Sequence, residues 1–76
     1  MVKKLLEQIK KDFHLEIELN KIEKYDIIAL HFGACAKIRN NYLWNDKQRT
    51  KILMEYFDVK DVDTLSAKIW EEITKD

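Results

Sequence analysis

Proline is missing altogether from these 76 residues, and glycine occurs once, at Gly33. Tight hairpins and flexible linkers draw on those two residues, so their scarcity argues against closely turned strands and against linked domains. A single cysteine, Cys35, excludes an internal disulfide and suits a reducing compartment. Long apolar runs are absent too. Residues 27–36 form the longest uncharged stretch, interrupted by His31, whereas a bilayer-spanning helix needs about 20 apolar residues. The opening MVKKLLEQIKKDF returns to charge too quickly for a signal peptide. These absences predict a single helical domain over residues 1–76, in the cytoplasm and away from membranes.

An excess of one charge is also lacking, with 14 basic residues against 14 acidic ones. The zero total hides an uneven distribution. Between residues 37 and 51 stand Lys37, Arg39, Lys47, Arg49 and Lys51 against Asp46 alone, a net +4. Residues 52–76 set three lysines against seven carboxylates, a net −4. Such asymmetry is a feature that a partner can read.

Apolar spacing supplies the elements. Val2, Leu5, Leu6, Ile9 and Phe13 fall on one helical stripe. Phe13, Leu15, Ile17 and Leu19 then alternate with polar residues, which predicts an extended or irregular connector over 14–19. Asn20 with Glu23 resembles a capping box and opens a second helix near Lys21, running to about Asn41. Asn45 with Gln48 repeats the signal for a third helix through about Phe57, with Ile52, Leu53, Tyr56 and Phe57 as its stripe. Asp61 caps a last helix whose Val62, Leu65, Ile69 and Ile73 share a face. The expected fold is all-α, a small four-helix bundle with a central helix at about 21–41.

The densest stretch is HFGACAKIRNNYLW, residues 31–44. On a helical wheel Ile27, Ile28, His31, Cys35, Ile38 and Tyr42 gather on one side, with Ala29, Gly33, Ala36 and Asn40 opposite. Glycine inside a helix costs about 1 kcal/mol relative to alanine, so close approach of another backbone is the expected reason for Gly33. The stripe of Ala29, Gly33, Ala36 and Asn40 is thus a candidate packing or dimer seam, facing the chain's own helices or a second copy. His31 and Cys35 are one turn apart, a spacing two metal ligands use. Only His14 and carboxylates remain to complete a site, so a buried histidine and an inert thiol are expected, with no metal and no cofactor. Arg39-Asn40 invites comparison with helical ribonucleases that place a histidine shortly after Arg-Asn. Residues 41–46 hold none, and the acid–base partner is missing. The expected role of Arg39 is therefore to meet a helix carboxyl end, with Asn40 or Asn41 left-handed and Trp44 folding back over the core.

HFGACAKIRNNYLW, together with VDTLSAKIW further on, resembles a small bacterial domain family of uncharacterised function. Its members share an H-F-G-like lead, then I-R-N, an aromatic residue and L-W. The resemblance covers roughly residues 24–73. A glycine usually separates the aromatic from L-W in that pattern, whereas here Tyr42 runs directly into Leu43. The family implies neither an activity nor a ligand.

Catalysis needs converging polar groups, and no serine–histidine, carboxylate-pair or phosphate-loop arrangement is present. Nucleic-acid binding has a candidate segment: Lys37, Arg39, Lys47, Arg49 and Lys51 interleave with Tyr42 and Trp44. The last helix, a would-be recognition helix, is acidic and would be repelled by phosphates. The leading expectation is a protein–protein interaction module: an adaptor, regulator, antitoxin-like or phage-encoded inhibitory protein. Trp70, at the edge of its helix's apolar stripe, is its candidate anchor. The partner is another protein, with a homodimer as one form and nucleic acid as the alternative.

Overall fold

The computed structural model describes residues 2–22 and 26–75. Among them are α1 (Val2–Asp12), α2 (His14–Asn20), α3 (Ile27–Ile38), a π-helical turn (Arg39–Leu43), α4 (Lys47–Phe57) and α5 (Val62–Thr74). The described residues contain no strand, so the all-α expectation stands. The division into four helices does not, because α2 is a fifth.

Residues 14–19 are helical rather than extended. Ile9, Phe13 and Ile17 follow one another at four-residue intervals, and all three are buried. The helical stripe of α1 therefore continues into α2 and outweighs the local alternation. Backbone bonds from Phe13 N–H to the Ile9 carbonyl and from Ile17 N–H to the Phe13 carbonyl carry the chain across the joint. A lone strand offers its amides no partners, whereas a helix satisfies them within the segment. Leu15 stays exposed.

The second expected helix is shorter than 21–41. Asn20 closes α2 and Lys21 is a turn, while Glu23 lies outside the described residues. The opening cap is Asp26, whose carboxylate accepts the Ala29 N–H at 3.1 Å. Nor do the asparagines end the helix in a left-handed residue. Trp44 N–H reaches back to the Arg39 carbonyl at 2.8 Å, the wide bond of a π turn. The left-handed position is Asp58 instead, at φ 55, closing α4. Asp46 rather than Asn45 caps α4, taking the Arg49 N–H at 3.0 Å. Asp61 caps α5 as expected, through the Thr64 N–H.

The helix at the centre is α5. It packs on α1, α2, α3, α4 and the π turn, and it buries Leu65, Ser66, Ile69, Trp70 and Ile73. By contrast, α3 rests on α5 and α2 with one side only. Its buried residues are Leu30, Ala34, Cys35 and Ile38. Of the face assigned on the wheel, Cys35 and Ile38 are buried and Ile27 and Ile28 are exposed. The true inward arc is shifted by about an eighth of a turn, toward Leu30 and Ala34, which are buried. No helix among the described residues is long and apolar enough to cross a membrane.

Candidate interaction surfaces

The sequence-predicted residues divide into those the fold uses internally and those it leaves at the surface. Arg39 belongs to the first group. Its guanidinium donates to Ser66 Oγ at 3.1 Å and lies 3.7 Å from the Asp63 carboxylate. Ser66, fully buried, donates in turn to the Asp63 carbonyl at 2.8 Å. Arg39 thus clamps the π turn to the start of α5. Arg49 faces its own cap, with Nε 3.7 Å from Asp46. Trp70 is only 4% exposed and anchors the core, which removes it as an exposed binding residue. A bulky indole at the edge of a stripe covers area that a short helix leaves open.

His31 and Cys35 do meet, with Nε2 3.7 Å from Sγ. The thiol is buried, and burial pushes its pKa above the usual value of 9.0, with Ser66 and Arg39 opposing. A neutral thiol in such a place is a poor nucleophile and a poor ligand. Among the described residues no three histidine, cysteine or carboxylate side chains gather into a metal site. Tyr42 donates its hydroxyl to Asp12, joining the π turn to α1, and burial with that carboxylate pushes its pKa up to about 12. Thr50, also buried, turns its hydroxyl to the Leu43 and Asp46 carbonyls at 2.7 and 2.9 Å. Sequence reasoning missed Ser66 and Thr50. Each is a polar residue at a helical core position, a signal that is available in principle.

Two surfaces remain. One is a groove between the π turn, α4 and the start of α5, lined by apolar Leu43, Met54, Val59 and Val62 and by exposed Trp44, Lys47, Lys51, Glu55 and Asp58. Trp44 is 60% exposed, so it does not cover the core as expected. Only Lys47 and Lys51 of the five basic residues reach this groove. Lys37 lines a different groove with Leu15 and Gly33, between α2 and α3. The +4 segment is therefore dispersed and does not form one continuous stripe.

The other surface is the outward side of α3. Ile28 is 71% exposed and Phe32 68%. Ala29, Gly33 and Asn40 are exposed and Ala36 half-buried along the same side. A side chain added at Gly33 would meet nothing within 4 Å. The expected close approach by another of the chain's own helices is thus overturned at Gly33, which with Ala29 lines an open groove facing α2. No family model, curated protein or solved structure matches the chain.

Proposed function

We propose that the chain is a small protein–protein interaction module without catalysis, working in the cytoplasm as an adaptor, regulator or inhibitor. One observation carries this reading. Helix α3 is apolar on the side that packs and also on the side that meets water. Ile28 and Phe32 stand outward without cover, and an outward apolar face rimmed by polar residues is a mark of an association surface. Supporting it, the polar side chains that looked like a site in the sequence are engaged inside the fold: Arg39 by Ser66 and Asp63, and Cys35 by burial.

Affinity capture from the native host, with and without nuclease, tests the reading. The module is expected to retain one stoichiometric protein in both conditions, and Phe32→Glu is expected to lose it. A nuclease-sensitive recovery that survives Phe32→Glu but not Trp44→Ala would favour nucleic acid. The observation behind that second reading is the exposed Trp44 beside Lys47 and Lys51, since bases stack on aromatic faces flanked by cations. The carboxylates of Glu55 and Asp58 in the same groove oppose a phosphate backbone.

A further inference from the structure

We infer that the outward side of α3 pairs with the same side of a second copy of this chain, antiparallel about a two-fold axis near Phe32. The inference rests on the interaction-module reading and names its partner. A two-fold interface must be self-complementary, so that one residue meets another and the second meets the first in return. Three features of α3 satisfy this about one centre.

The first is charge. Asp26 and Lys37 are both exposed, and among the described residues neither has an ion-pair partner. They are eleven residues apart, close to three turns at about 3.6 residues per turn, and so they lie on one flank. Antiparallel pairing brings like flanks together. It sets Asp26 against the partner's Lys37 and Lys37 against the partner's Asp26. The second feature is the opposite flank, where Phe32 sits on the axis and meets its counterpart, with Ile28 beside it. The third is the seam. Ala29 and Ala36 are seven residues apart, about two turns, and centred between 32 and 33. Gly33 lies between them with nothing within 4 Å of its side-chain position, and Leu15 and Glu16 of α2 stand across a groove from it. A foreign partner requires none of this symmetry.

Size limits what this face can bury. A stable interface of ordinary dimensions takes about 800 Å² from each partner, one-seventh of the 5590 Å² this chain exposes. Helix α3 is about 18 Å long at 1.5 Å per residue, so its outward side supplies less than that area. Exposed Leu15, across the groove from Gly33, extends it. The interface is therefore a small one, and self-association is sought across the micromolar range.

Sedimentation equilibrium across that range is expected to show wild type passing from monomer to dimer. Phe32→Glu is expected to stay monomeric with unchanged helix content and melting behaviour. Lys37→Glu faces carboxylate with carboxylate twice and is expected to raise the dissociation constant about tenfold. Orientation is read by oxidative cross-linking of Gly33→Cys and Lys37→Cys, with wild type as control because Cys35 is buried. In the antiparallel pair the two copies of position 37 lie about 15 Å apart along the axis, beyond the roughly 7 Å a disulfide tolerates. Gly33→Cys is expected to cross-link and Lys37→Cys is not. Cross-linking of both would overturn the antiparallel arrangement. A wild type that is monomeric throughout would overturn self-pairing. In that case, capture of a foreign protein that depends on Phe32 leaves the interaction module standing, and loss of both removes it.

Discussion

Helices α5 and α3 are close in length and pack against each other, but they meet water differently. Inward, α5 turns Leu65, Ile69, Trp70 and Ile73, and outward it turns Asp63, Lys68, Glu71 and Glu72. Folding of this chain alone accounts for that division. Inward, α3 turns Leu30, Ala34, Cys35 and Ile38. Its outward residues include Ile28, Ala29, Phe32 and Gly33, and Lys37 is the single charged residue between Ile27 and Ile38. A helix apolar all round is ordinarily covered all round. Self-folding covers half of α3, and the other half is the face that the proposed association would cover.

The two sides of α3 should therefore respond oppositely to substitution. Ile38, fully buried, gives the largest effect: Ile38→Ala is expected to cost about 2–5 kcal/mol in urea unfolding. Phe32→Ala on the outward side, measured at concentrations where the chain is monomeric, is expected to stay within about 0.5 kcal/mol of wild type. Equal losses at the two positions would break the comparison.

Arg39→Ala probes the clamp between the inward side and α5. Ser66 keeps its bond to the Asp63 carbonyl, so the loss is one charge-assisted hydrogen bond and a weak ion pair to exposed Asp63, together about 1.5–3 kcal/mol in chemical denaturation. Partner capture is expected to persist in the folded fraction.

Gly33→Leu reverses the sign. With nothing near its side-chain position, the monomer is expected to gain somewhat under 1 kcal/mol from helix propensity. Self-association is expected to be lost, because the leucine holds the seam apart. A less stable monomer would contradict the open setting of Gly33.

The smallest effect concerns pH. Burial and Asp12 raise Tyr42 from 10.0 to about 12, and burial raises Cys35 above 9.0. Both groups are favoured as neutral in the fold, so their contributions are complete below about pH 9 and fall away as pH rises, with the Tyr42 share lost between 10 and 12. A thermal melting series is expected to show that alkaline decline.

Much of this division can be read from residue spacing, within limits that have physical causes. The α5 stripe and its Asp61 cap were legible because a strong periodicity and a cap signal coincide. The same tools misplaced α2, where alternation over 14–19 competed with the four-residue rhythm of Ile9, Phe13 and Ile17. They also misplaced the inward arc of α3, for a different reason. A helix with apolar residues on every side has no contrast from which a wheel can take its bearing. That lack of contrast put Ile28 inside, and it gave Gly33 a neighbour from the same chain. Trp44 and Trp70 were exchanged in role because a tryptophan near a helix end fits either side of the boundary. Arg39 was placed correctly at the end of α3, but its partners Ser66 and Asp63 come from a distant part of the chain that local spacing does not reach.

The comparison is tested most directly by amide chemical shifts followed through a dilution series. Concentration-dependent shifts are expected to concentrate at Ile28, Ala29, Phe32, Gly33 and Ala36, while the outward residues of α5 stay fixed. Shifts confined to Trp44, Lys47 and Lys51, or none along α3 at any concentration, would contradict the account.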